Sequence, residues 1–239
     1  MTKRPIISLC TISSRKSSVA ETIRSILDQS IDDFEVRLHI STDPFLLDEG
    51  ISGEELELPA DPRLSVFSVP NHGPYRKLLF SLKHADYGQP IITIDDDTIY
   101  PPNFIEEMIN LWKEHRCVIA KRGLQLRAID GKIAPYKFCQ NLERDHATKL
   151  ANLPTGKDGI LYFKEYFHPI VYQSNIYLKL CPTTDDLWFL WCCALKAIPA
   201  YIHDFQPKAT SLITNQTEVS LYDIYNRSGS NDTAIENLE

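Results

Sequence analysis

Three consecutive aspartates, Asp95-Asp96-Asp97, close the apolar run Pro90-Ile91-Ile92-Thr93-Ile94 and precede Thr98-Ile99-Tyr100-Pro101-Pro102. Carboxylates so close together repel one another unless a cation sits among them. Magnesium and manganese take hard oxygen ligands and share them with substrate phosphates, so the triplet points to a divalent ion holding a nucleotide diphosphate. A solvated acidic turn is the plainer reading, but a turn needs one Asp or Asn and gains nothing from three adjacent negative charges.

Such a triplet needs a strand behind it. The β-branched run before Asp95 reads as a buried parallel strand, and in an open α/β sheet the ligand crevice lies at the carboxyl ends of the strands. Three other runs read as strands before it or after it: Pro5 to Cys10, Phe34 to Ile40, stopped by Pro44 so that Asp43 sits at its end, and Cys117 to Ala120. Leu64 to Val69 adds one more. Between them, helices are expected from Ser18, which has capping-box spacing with Glu21, to about Gln29, then over Tyr75–Ala85 and Asn103–His115. This β-α-β alternation predicts an α/β fold: a mostly parallel, doubly wound sheet with right-handed crossovers and helices on both faces. From Lys121 to Lys157 the pattern weakens. A helical segment then runs to Leu180, Thr183 or Thr184 caps a helix from Asp185 to about Lys196, and Ala200 to His203 reads as a late strand. The tail from Asn226, with Ser228-Gly229-Ser230-Asn231-Asp232, reads as a loop.

Composition narrows the partners. The 239 residues, 43% of them hydrophobic, suffice for one large domain. A net charge of −7 argues against nucleic acid, whose phosphate backbone demands a basic field, while local basic residues plus a metal can still hold one nucleotide. No stretch approaches the roughly 20 apolar residues of a membrane span, and Met1 to Pro5 carries no secretion signal, so a cytoplasmic location is expected, with room for peripheral attachment at the inner face of a membrane. The six cysteines show no CxxC pair and no zinc spacing, and the sequons at Asn215, Asn226 and Asn231 carry no weight without secretion.

Taken in order along the chain, several segments resemble nucleotide-sugar-dependent glycosyltransferases of the GT-A fold, close to family 2, of the type found in bacterial surface-polysaccharide biosynthesis. These are Ile7 to Arg15, Gly73-Pro74-Tyr75-Arg76-Lys77, Ile94 to Asp97 with Tyr100-Pro101-Pro102, Gly159-Ile160-Leu161-Tyr162, Cys181 to Trp188, and Gly229 to Asp232. The resemblance implies one GT-A domain over residues 1–239, with a nucleotide-sugar-binding half in residues 1–120 and an acceptor half in residues 121–239. It implies a nucleotide diphospho-sugar donor, a UDP-sugar by preference, bridged by Mn or Mg to a DxD motif, and a glycan or lipid-linked acceptor. Asp97 is the implied direct metal ligand and Asp95 lies nearer the ribose or sugar; Asp96 either faces inward or supports its neighbours. Thr11, Ser13 and Arg15 match the loop lining the nucleotide pocket, and Asp43 matches the position that holds the base, although Ser41-Thr42-Asp43-Pro44 lacks the acidic-glycine run common in the family.

The same resemblance makes Asp186, with Asp185, the base that takes the acceptor's proton in an inverting transfer. Acidic residues also favour a helix's first turn by themselves. Arg76 and Lys77 are candidates for the donor diphosphate, or ordinary helix-surface cations. His203 stands where some GT-A enzymes add a metal ligand, and Gly159 where backbone approaches the donor sugar; a packed histidine and a turn glycine are the plain alternatives. Trp188 and Trp191 suit either core or a sugar platform. Two other functions compete: a catalytically silent nucleotide- or sugar-binding module of this fold, and a HAD-like phosphatase, which fails on spacing because Ile99 stands where its Thr or Val belongs.

Overall fold

The computed structural model describes residues 3–142, 147–203, 209–212 and 221–239, with Tyr222 described by its backbone alone; the sequon at Asn215 and the polar run of residues 143–146 lie outside the described residues. In chain order the elements are β1 (Ile6–Cys10), α1 (Val19–Leu27), β2 (Glu35–Ile40), β3 (Leu64–Ser68), α2 (Arg76–His84), β4 (Ile91–Thr93), β5 (Thr98–Ile99), α3 (Phe104–His115), β6 (Val118–Ala120), β7 (Gly123–Gln125), β8 (Ala128–Ile129), β9 (Lys132–Ile133), β10 (Gln140–Leu142), β11 (Asn152–Pro154), β12 (Ile160–Tyr162), α4 (Ser174–Leu180), α5 (Asp185–Ala194), β13 (Ala200–Ile202), β14 (Thr210–Ser211) and α6 (Asn231–Leu238).

Seven strands form the main sheet in the order β13-β6-β12-β4-β1-β2-β3. Only β12 runs against its neighbours, so the expected mostly parallel sheet is present with one reversed strand inside it. Strand alternation divides the side chains between two cores. Ile6, Ile91, Val118, Ala120, Ile160 and Tyr162 point to one face, beneath Leu78 and Leu82 of α2 and Leu187 and Trp188 of α5. Ile7, Leu9, Ile92, Ile119 and Leu161 point to the other, beneath Ile23 of α1 and Phe104 and Met108 of α3. The sheet reverses its winding at β1, which has β4 on one side and β2 on the other. A switch of this kind opens a crevice at the strand ends.

Three local expectations change. The Ser18 capping box does not form: a 3-10 turn over Ser13–Arg15 leads directly into α1, Ser18 already has helical angles (φ −98°, ψ −25°), and its hydroxyl donates to the Arg15 carbonyl instead. The weak region after Lys121 is a three-stranded antiparallel sheet, β10-β7-β11, followed along the chain by β12. The tail is helical. A π-type stretch over Tyr222–Ser230 bends at Gly229 (φ 106°) into α6, whose Ala234, Ile235 and Leu238 are buried in the α5 core. Burying Ile235 and Leu238 contributes about 2 kcal/mol each, enough to dock a short helix whose N-terminal residues read as loop. Among the described residues, no helix is long and apolar enough to cross a membrane. All six cysteines are free.

Candidate active site

The ends of β1, β4 and β6, the antiparallel sheet and the start of α5 enclose one cleft of about 1200 Å³. Asp95, Asp96 and Asp97 line it from one side and Asp185 and Asp186 from another, with Arg15, Lys77, Lys121, Arg122 and Lys157 among them. The aspartate triplet does make a turn, between β4 and β5, but its carboxylates face protein cations. The turn is held by the Tyr100 hydroxyl, which accepts from the Asp95 N–H at 3.0 Å, and by the Thr22 hydroxyl, which accepts from the Thr98 N–H at 3.1 Å.

The three neighbours are unequal. Asp96 is buried and accepts from the Thr11 hydroxyl at 2.7 Å and from Arg15 Nη1 at 2.8 Å. Asp97 shares that same Nη1 at 3.1 Å and accepts from the Thr98 hydroxyl at 3.2 Å. Asp95 accepts from Lys77 Nζ at 3.0 Å. Burial, then repulsion from Asp95 and Asp96, pushes Asp97 up to about 6 even with Arg15 beside it. The three carboxylates face Arg15 and Lys77. Hard carboxylate oxygens fit a magnesium or manganese ion, and Asp95 and Asp97 are the carboxylates able to hold it. Among the described residues no three His, Cys, Asp or Glu side chains form a metal cage by themselves.

The second acidic group lies across Lys77. Asp186, in the first turn of α5, accepts from the Gly156 N–H at 3.0 Å. Burial and the neighbouring Asp185 push it up to about 7, against the pull of Lys77 and that N–H. Asp185 is raised as well, by burial first. Burial works against the charge of Lys77, yet Asp95, Asp185 and Asp186 together raise it well above its usual value, so it stays an ammonium between the two acidic groups. Gly156 permits this approach: a Cβ there would lie 2.5 Å from Lys77 Nζ and 3.4 Å from Asp186 Oδ1. A carboxyl titrating near neutrality in a cleft has the properties of a general base. Cys10 also lines the cleft, but burial holds its thiol up to about 11, which removes it as a nucleophile.

A family model for glycosyl transferase family 2 matches residues 9–168. The chain belongs to glycosyl transferase family 2. A search of curated proteins finds no match. Among solved structures, S. aureus TarS 1-349 in complex with UDP is similar at 16% identity and TM-score 0.55, over 93% of this chain and 62% of that one. The mannosyltransferase PcManGT from Pyrobaculum calidifontis, in complex with GDP-Man and Mn2+, is similar at 14% identity and TM-score 0.52, over 85% and 55%. The Francisella tularensis 2-C-methyl-D-erythritol 4-phosphate cytidylyltransferase is similar at 12% identity and TM-score 0.53, over 89% and 95%. These likenesses establish the GT-A fold, and the chain spans about three fifths of the TarS fragment's length.

The remaining sequence candidates in this family-2 chain divide by position. Thr11 is fully buried and acts on Asp96 alone among the acids. Ser13 gives its N–H to Asp48 at 3.0 Å, so it shapes the loop and does not line the cleft. Arg76 lines the cleft floor, but its guanidinium is buried and paired with Asp48 at 2.7 Å, which leaves it poorly placed to follow a phosphate. Asp43 is exposed and off the cleft, because the chain turns at Pro44 and carries Asp48 inward instead. Asp48 accepts from the Ser13 and Gly50 N–H groups, Asn71 and Arg76. Its signal was the glycine two residues later: Gly50 has φ 92°, and a Cβ there would sit 2.4 Å from the Thr42 carbonyl.

Gly159 likewise lies off the cleft. It has φ 105°, and a Cβ would meet the Phe104 ring at 2.6 Å, so packing requires the glycine, while Gly156 lines the cleft beside Asp186. His203 is not among the cleft-lining residues: its N–H donates to the Ala120 carbonyl at 2.9 Å and its ring stacks on Tyr201. Trp188 is buried, donating to the Val171 carbonyl, and is core; Trp191 packs partly buried on the same core. Lys121, Arg122 and Lys157, which no motif had marked, complete the basic lining.

Proposed function

We propose that this protein is a metal-dependent, inverting glycosyltransferase that moves a sugar from a nucleotide diphospho-sugar, by preference a UDP-sugar, to a glycan or lipid-linked acceptor in surface-polysaccharide biosynthesis. The observation that carries the reading is one cleft with two acidic groups of different chemistry: an aspartate cluster at Asp95 and Asp97 beside Arg15 and Lys77, and a separate carboxyl, Asp186, near neutrality. Titratable groups pushed to different values are the mark of divided labour. TarS with UDP or UDP-GlcNAc and PcManGT with GDP-Man and Mn2+ support the donor class and the ion.

In this reading, residues 1–120 hold most of the donor, and residues 121–239 supply the base, the acceptor wall and three of the cations for the diphosphate. The diphosphate lies in the field of Lys121, Arg122 and Lys157, and Asp95 and Asp97 hold the dication. A bound Mg2+ or Mn2+ neutralises charge building on the departing diphosphate. Asp186 accepts the acceptor hydroxyl's proton as that oxygen bonds to the anomeric carbon and the C–O bond to the diphosphate breaks on the opposite side. Lys77 and the Gly156 N–H favour the ionised form of Asp186, and the N–H aims it.

The test is a donor screen with manganese, reading the nucleotide product and the configuration of the new glycoside by NMR. Release of nucleoside diphosphate with inversion is expected; release of pyrophosphate, the product of nucleotidyl transfer, or a retained configuration overturns the reading. Asp97→Ala is expected to lose manganese-dependent donor binding in calorimetry.

A further inference from the structure

Arg15 occupies a position that a dication would contest. Its Nη1 lies 2.8 Å from Asp96 Oδ1 and 3.1 Å from Asp97 Oδ2, and the other oxygen of Asp97 takes the Thr98 hydroxyl. The two carboxylates differ in how firmly they are held. Asp96 has 6% of its side chain exposed and short contacts, 2.8 Å to Arg15 and 2.7 Å to the Thr11 hydroxyl, whereas Asp97 is 14% exposed and its contacts, 3.1 Å to Arg15 and 3.2 Å to the Thr98 hydroxyl, are longer. Asp96 is thus the permanent partner of Arg15 and Asp97 the exchangeable one. A dication on Asp97 with the guanidinium still in contact would set like charges about 4 Å apart, a repulsion of several kcal/mol at an effective dielectric near 20.

We propose that Arg15 is a resident counter-ion of the aspartate cluster: it holds Asp97 while the cleft is empty and must leave Asp97 for a divalent cation to bind, so that the ion is admitted together with a nucleoside diphosphate. The inference rests on the metal-dependent reading above. The displaced guanidinium stays anchored on Asp96 and turns to the diphosphate the N–H that it withdraws from Asp97, a charge-assisted contact for which its planar fork is suited. The nucleotide supplies oxygen ligands to the ion and an anion for Arg15, so each raises the other's affinity by the same factor.

The experiment measures manganese binding by electron paramagnetic resonance, with and without UDP, on the wild-type protein, Arg15→Gln, Arg15→Lys and Lys16→Gln. Lys16 lies in the same turn and pairs with Glu55, so its variant removes one charge without touching the aspartates. Arg15→Gln is expected to bind manganese alone at least fivefold more tightly than wild type, and the gain that UDP gives to manganese binding is expected to shrink at least threefold. Arg15→Lys, which keeps one ammonium for Asp96, is expected to show part of the gain and decides the matter if Arg15→Gln does not fold. Unchanged or weaker manganese binding in the Arg15 variants, or an equal gain in Lys16→Gln, overturns the proposal. If wild type binds manganese with UDP but the Arg15 variants show no gain, the counter-ion inference alone fails; if no protein binds manganese even with UDP, the metal-dependent reading fails with it.

Discussion

Asp186→Asn should abolish transfer and stabilise the protein, and the stabilisation should depend on pH. In the folded chain Asp186 titrates near 7 against an ordinary 3.8, because burial and Asp185 disfavour its charge. A carboxyl raised on folding lets the fold keep its full stability below the unfolded value and lose it as pH rises through the folded one. The loss therefore develops between about pH 4 and pH 7. At about 1.4 kcal/mol per pH unit it is bounded near 4 kcal/mol. Asp186 is partly open to the cleft, and water there reduces this to about 2 kcal/mol. Asparagine keeps an oxygen for the Gly156 N–H and carries no charge, so it recovers that amount at pH 8. For a chain of this length the gain is about 4–8 °C in melting temperature. Melting followed by circular dichroism at pH 8 and at pH 4, with transfer measured on the same samples, tests the argument. Equal melting of variant and wild type at pH 8, or a gain just as large at pH 4, would refute the assigned environment; transfer at the wild-type rate would refute the base.

Activity should also rise with pH through about 7 in a profile of kcat/KM, since Asp186 must be ionised to accept a proton, and manganese-dependent donor binding should weaken below about pH 6, where Asp97 takes a proton. Gly156→Ala places a methyl group 2.5 Å from the Lys77 ammonium, the movable end of its side chain, so kcat/KM should fall about tenfold or more while the melting temperature changes by less than about 3 °C. Asp48→Asn leaves buried Arg76 without its counter-charge and should cost about 3–5 kcal/mol in urea unfolding. Asp43→Ala and His203→Ala, both off the cleft, should keep the donor KM within about twofold of wild type in steady-state kinetics, where a residue holding base or metal would cost tenfold or more.

What was legible in the sequence was whatever lies close along it. The strand before Asp95 shows in its β-branched run, α2 in Pro74 at its entry, and the sheet's winding in the repeated alternation of such segments. The antiparallel sheet escaped notice because its strands have three residues each, and β7 pairs with β10 and β11 across long stretches of chain, which leaves no local period. The tail helix escaped because Ser-Gly-Ser-Asn-Asp is loop composition, and the apolar residues that dock it come afterwards. The site failed at one kind of fact throughout: which acid meets which base. Asp95, Asp96 and Asp97 are indistinguishable as letters. They become different residues when Lys77 comes from 18 positions away and Arg15 from 81. The same applies to Asp43 and Asp48: five positions apart in one acidic segment, they are separated by Arg76, which draws one inward and leaves the other in water. Residue type reveals that a cleft will be acidic, but counter-charges from distant elements decide which carboxylate is structural, which is exchangeable and which is raised toward neutrality, and those pairings exist only once the sheet has brought the elements together.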